Sequence, residues 1–149
     1  NMKKYLTLSL FALFGYLSCT VGPEPIDYGH VGCHYCSMTI VDKQHAAQLV
    51  TSKGKVFNFD AIECMMNHLK DQDEATMALF LVNDYDRPGE LVDAKKATYL
   101  ISGNIPSPMG EYLSAFANEE AATYTRNMQD GDLFTWKEIK KQFQLKTKE

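Results

Sequence analysis

Residues 54–65 read GKVFNFDAIECM and residues 131–143 read GDLFTWKEIKKQF, and the reading of the whole fold turns on laying one over the other. A glycine heads each copy; behind it Val56 falls on Leu133, Phe57 on Phe134, Phe59 on Trp136 and Ile62 on Ile139. Each copy predicts a short strand running into a helix. Strand-like stretches precede both glycines, HAAQLVTSK at 45–53 and EEAATYTRNMQD at 119–130, and Met38 and Met109 occupy loosely corresponding places further back. The expectation is an α+β fold of two small related β-β-α units, about 32–75 and 76–149. They pack together because neither is large enough to bury much core alone.

Local signals fill in the frame. Ser52-Lys53-Gly54 is a hairpin turn between two β-rich runs. Asp60 is placed to cap a helix whose Ile62, Met65, Met66 and Leu69 form one apolar face. MALFLVNDY at 77–85 reads as a strand and Arg87-Pro88-Gly89 as the turn after it. ELVDAKKATYLI at 90–101 is compatible with a short helix capped by Asp93 or with a twisted strand pair. SGNIPSPMG at 102–110 is a loop rich in turn formers.

Composition narrows the function. The chain has 149 residues, 45% hydrophobic and 23% charged, with a formal net charge of -4, the profile of one folded domain rather than a disordered tail. Net acidity with scattered lysines and arginines excludes a nucleic-acid binder, which needs a basic footprint. Lys3 and Lys4 precede the apolar run YLTLSLFALFGYL, the pattern of a secretory signal and too short for a comfortable membrane span. The run ends in YLSC, similar to a bacterial lipobox, so residues 1–18 are expected to be a lipoprotein signal peptide and Cys19 the lipid attachment site. The protein is then exported and membrane-anchored. TVGPEPIDYG follows without hydrophobic period, and residues 19–31 are expected to be a tether, with the domain spanning 32–149.

With Cys19 lipidated, Cys33, Cys36 and Cys64 remain, an odd number that is not a disulfide framework. Residues 32–39, GCHYCSMT, admit three readings. A thiol redox partner using Cys33-Cys36 needs the first cysteine at a helix N-terminus, and SMTIVD does not continue as one. Zinc is served by Cys33, Cys36, Cys64 and His68, the last two four apart on one helical face, in a structural or interaction lipoprotein. The third reading uses Met38. Thiolate and thioether together select a soft ion such as Cu(I), which needs only two or three ligands, although a lone methionine is more often core filler. Met38 points to the same side as Cys36 if the segment is extended.

The pieces CSM, FNFDAIECM, LVDAKKATYLISGNIPSPMG with AF shortly after, and GDLFTWKEIKK run in order along the chain and resemble the nitrous-oxide reductase accessory protein family, NosL. The resemblance implies a fold of two related β-β-α units similar to part of organomercurial lyase. It also implies a lipid-anchored copper(I) chaperone facing the periplasm, on the cytoplasmic or outer membrane. The implied partners are nitrous-oxide reductase and a membrane ABC-type assembly complex. Residue by residue, Cys36 and Met38 match the family's Cys-x-Met pair, Met109 the methionine of its PMG loop, and Cys64 and Met65 its CM. The resemblance thus gives a metal site drawn from Cys33, Cys36, Met38, Cys64 and Met109, with Met65 read as packing and Cys33 as an addition to the simplest pattern.

Of the histidines, His34 lies between the cysteines and is available to a metal, His30 belongs to the tether, His45 begins a strand as ligand or edge residue, and His68 is helix surface unless zinc is bound. Glu119-Glu120 reads as a solvated face, and no nucleophile carries a histidine signature. A binding and transfer protein is expected, not an enzyme.

Overall fold

The computed structural model describes residues 20–145. The expected signal peptide, residues 1–18, and the expected lipid site Cys19 lie outside the described residues. Among the described residues seven strands and three helices follow in the order β1 (Ala47–Thr51), β2 (Val56–Phe59), α1 (Ile62–Leu69), β3 (Met77–Asp84), β4 (Arg87–Asp93), β5 (Thr98–Ile101), β6 (Leu113–Phe116), α2 (Glu119–Gln129), β7 (Asp132–Phe134) and α3 (Trp136–Leu145), with a short 3-10 turn at Glu74–Thr76. The strands form two antiparallel sheets, ordered β2-β1-β3-β4 and β6-β5-β7. The α+β class and the hairpin around Ser52-Lys53-Gly54 are as expected, with Ala47 facing Phe59 and Val50 facing Val56.

One core joins the halves. Leu49, Phe59, Ile62 and Met65 of the first pack in the same cluster as Tyr99, Leu113, Ile139 and Phe143 of the second. The repeated glycine has a backbone reason in both copies: Gly54 has φ 85 in the hairpin turn, and Gly131 has φ 116 with the Ile101 and Ser102 backbone where a side chain would stand. Strand β3 pairs with β1 and β4 with β3, so the first sheet runs on past residue 76.

Several local expectations are corrected. The stretch 119–130 is helix α2, not a strand: Asn118 accepts from the N–H groups of Glu120 and Ala121, two acids lie in the first turn, and this local chemistry outweighs the alternation in TYTR. The strand that pairs with β7 is therefore β5. Arg87-Pro88-Gly89 belongs to β4, and the chain turns just before it, where Asp84 Oδ1 accepts from Asp86 N–H. Pro88 is tolerated because β4 is an edge strand. The 90–101 stretch resolves as strands of different sheets, with Asp93 accepting from Lys95 N–H in the turn between them. Asp60 does not cap α1; the cap position is Ala61, without a side-chain bond, and Asp60 is buried. The supposed tether is also docked before residue 32. Glu24 exchanges two hydrogen bonds with the Gln48 side chain, Ile26 is buried in the core, and Tyr28 bonds Asn83.

Candidate metal centre

The segment 31–40 forms a small knuckle. Gly32 bridges Thr39, Cys33 N–H donates to Met38 O at 2.8 Å, and Ser37 N–H donates to Cys33 O at 3.0 Å. Ser37 closes it with φ 66, so residues 36–38 are not extended, the condition on which Met38 was expected to share a side with Cys36. His34 N–H donates to Asn58 O at 2.8 Å and fastens the knuckle to β2. Because β2 leads directly into α1, this fastening brings both knuckle cysteines to Cys64. The sulfur atoms of Cys33, Cys36 and Cys64 lie within 4.8 Å of one another. Cys33 and Cys64 are buried and Cys36 is partly open.

The three thiols are not equivalent. The Cys64 thiol hydrogen-bonded to Cys33 and the backbone N–H groups of Cys36, Asp60 and Tyr35 hold Cys33 down to about 4 against the opposition of burial. Of the three, Cys33 is the one whose thiolate form its surroundings favour. Cys64 is pushed upward, first by its bond to Cys33 and then by burial, and burial raises Cys36. The arrangement is one anion with two protons beside it, which a soft cation can replace.

Two buried carboxylates nearby in the chain have unmet capacity. Asp60 is pushed up to about 6 by burial and then by the charges of Cys33, Asp42 and Glu63, and its Oδ2 has no partner. Glu63 is fully buried; its Oε1 accepts the Ser107 hydroxyl and, at 3.4 Å, Leu113 N–H, while Oε2 has no partner. Burial raises its pKa. Sequence reasoning missed both carboxylates. The one signal for Glu63 was its place inside the otherwise apolar IECMM.

Met38 is 52% exposed in the knuckle and Met109 is 38% exposed in the 107–112 turn. His34 is exposed, with its ring centroid 4.4 Å from that of Phe57 and 5.1 Å from that of His68. The buried His68 Nε2 has no hydrogen-bond partner, and burial and then His34 lower the pKa of the ring. Among the described residues the only group of three or more His, Cys, Asp and Glu donors this close is Cys33, Cys36 and Cys64, so His68 does not complete the four-ligand zinc set. His45 is neither ligand nor exposed edge residue: it is buried, with Nδ1 2.9 Å from Asp42 Oδ2 and Nε2 3.0 Å from Ser114 Oγ. His30 is exposed and pairs with Asp27.

The family model described as NosL matches residues 26–144. Over 115 residues the chain is 28% identical to the copper-binding lipoprotein NosL of Stutzerimonas stutzeri, covering 72% of this chain and 60% of that protein. The crystal structure of the copper chaperone NosL from Shewanella denitrificans shares the fold with a TM-score of 0.69 at 22% identity, over 80% of this chain and 96% of that one.

Proposed function

The chain belongs to the NosL family, and we propose that it is a lipid-anchored carrier which takes up copper(I) on Cys33, Cys36 and Cys64 and delivers it for maturation of nitrous-oxide reductase. The observation that carries the reading is three cysteine sulfurs within 4.8 Å of one another, one of them partly open. Soft sulfur donors select Cu(I), and three ligands without a fourth leave room for exchange. A closed structural zinc site has no such room. Arriving copper meets the Cys33 thiolate, and the protons on Cys36 and Cys64 leave as those sulfurs bind. Met38 and Met109, exposed and matching the family's methionines, take part as additional or transient ligands. Copper is cargo here, and the protein is a carrier rather than an enzyme. In this reading Cys19 bears the lipid on a periplasm-facing membrane, and the recipient is reached through a membrane ABC-type complex.

Anaerobic titration of the reduced protein with Cu(I) and Zn(II), against competing chelators, tests the assignment. Tight one-to-one Cu(I) binding, weakened in Cys36→Ser and Met38→Ile, is expected. Preference for zinc with indifference to Met38 would replace the carrier by a structural knuckle. Release from membranes in Cys19→Ala tests the anchor separately.

A further inference from the structure

Glu63 is a charged side chain in the middle of the core, and nothing in the sulfur site uses it directly. Its exposure is 0%, a placement that costs several kcal/mol unless the carboxylate is given specific partners. The partners it has belong to one distant segment. Oε1 accepts the hydroxyl of Ser107 and the N–H of Leu113, 44 and 50 residues further along the chain. Ser107, itself buried, uses the same hydroxyl oxygen to accept Tyr112 N–H at 2.9 Å. Between them the chain makes a tight turn: Gly110 N–H donates to Ser107 O at 3.0 Å, and Gly110 and Tyr112 have φ 74 and 60. Met109 stands on that turn, exposed. The turn is thus closed at its base by a hydroxyl that Glu63 holds. On α1 the next residue after Glu63 is Cys64, and Asp60, just before the helix, lies within electrostatic reach of both Cys33 and Glu63.

We infer that Glu63 is a positioning residue that ties the turn presenting Met109 to the helix presenting Cys64, so that thioether and thiols meet the same cargo. The inference rests on the copper reading and deepens it. An apolar residue at 63 would satisfy the core more simply; a carboxylate fixes the turn by direction as well as distance. Met109 is then a prepared contact for the metal rather than an exposed side chain on an independent loop.

The test uses the reduced full chain with 13C-labelled methionine methyl groups and Ag(I) as a redox-inert stand-in for Cu(I), with Met109 assigned through Met109→Leu. In wild type the Met109 methyl resonance is expected to shift with the first equivalent of Ag(I). In Glu63→Ala and Ser107→Ala that shift disappears and Ag(I) binding weakens by roughly tenfold, the lower end of what outer-shell partners of metal ligands contribute. The core Met65 resonance stays in place and reports an intact fold. Glu63→Gln keeps an acceptor for Ser107 and Leu113 and restores the wild-type response. If Glu63→Ala does not fold, Ser107→Ala, which removes a single oxygen, carries the test. Wild type that binds Ag(I) with a silent Met109 methyl, or Ser107→Ala with an unchanged shift, overturns the role of Glu63 while leaving the carrier intact. A chain that binds neither Ag(I) nor Cu(I) sinks the copper reading, and this inference with it.

Discussion

Asn58 and Thr135 occupy the same place in the two copies of the glycine-strand-helix segment, four residues after Gly54 and Gly131, and do opposite work. In the second copy Thr135 Oγ1 accepts from Glu138 N–H at 3.3 Å while the Glu138 carboxylate accepts from Thr135 N–H at 3.4 Å, a reciprocal capping box that opens α3. In the first copy the carbonyl of Asn58 receives His34 N–H, and its side-chain oxygen receives the Gln48 amide. No side chain caps α1. The N–H of Asp60, near the uncapped helix start, helps hold the Cys33 thiolate instead. One frame is used twice: once with its end groups closed for stability, once with them turned toward the metal loop. Both copies keep the same core anchor, Ile62 and Ile139 being fully buried in one cluster.

The anchor is where the largest effect is expected. Ile139→Ala should cost about 3 kcal/mol in unfolding free energy, through lost burial and the cavity left behind, with the Cu(I) affinity of the folded protein unchanged. Ile62→Ala should cost as much and also weaken Cu(I), because α1 carries Cys64. Denaturant unfolding beside chelator competition measures both. Equal loss of copper affinity in the two variants would erase the division between the copies.

Next in size is Cys33→Ser. It removes the one thiolate and should weaken Cu(I) binding by roughly a hundredfold, about 2.7 kcal/mol, since even groups behind metal ligands are worth ten- to a hundredfold. Retention of wild-type affinity would move the site off the buried pair and onto Cys36 with the methionines.

How much of this was legible in the sequence follows from which signals are local. The hairpin at Ser52-Lys53-Gly54 and the apolar face of α1 depend on neighbours two to four residues apart, and they appear as read. Convergence of Cys33, Cys36 and Cys64 was contained in the zinc reading, without His68. What failed depended on partners far along the chain. A carboxylate at a helix start reads as a cap, and only the fold shows Asp60 buried beside Cys33 instead. Glu63 meets Ser107 across 44 residues, and no pattern within α1 announces it. Ile26 sits in a Pro- and Gly-bearing stretch that looks like linker until β1 supplies Gln48 to hold its neighbour Glu24. Ser37 turns left-handed where the Met38 argument assumed a strand.

A smaller effect separates the copies by pH. The folded Cys33 has its pKa depressed to about 4, against about 8.5 for a free thiol. Its contribution to stability is complete above the unfolded value and is lost as pH falls toward 4. Asp60 has the opposite sign, raised to about 6, so its contribution is complete below the unfolded value near 3.9 and is lost as pH rises through 6. The two oppose each other between 4 and 6. From about 6.5 to 8.5 Cys33 adds stability to the metal-free protein with rising pH at up to about 1.4 kcal/mol per unit, and Glu63, raised by burial as Asp60 is, works against it. Urea unfolding at several pH values should show a steeper upward slope in wild type than in Cys33→Ser. A slope unchanged by the substitution would mean that the thiolate is held elsewhere.

The smallest expected effect tests the other half of the comparison. Thr135→Ala removes one side of the capping box and should cost about 1 kcal/mol, read as a lower urea midpoint. The Glu138 carboxylate keeps its own bond to the residue 135 N–H, which every residue except proline provides, so the loss is confined to the hydroxyl's bond to Glu138 N–H. Copper(I) affinity should not move, because the capping bonds at Thr135 and Glu138 are separate from the His34 N–H to Asn58 O bond that fastens the knuckle. A fall in affinity accompanying so small a loss of stability would mean that the closed end of the second copy sets the geometry of the open end of the first, through the core they share. The capped helix would then be part of the metal site's support rather than its idle counterpart.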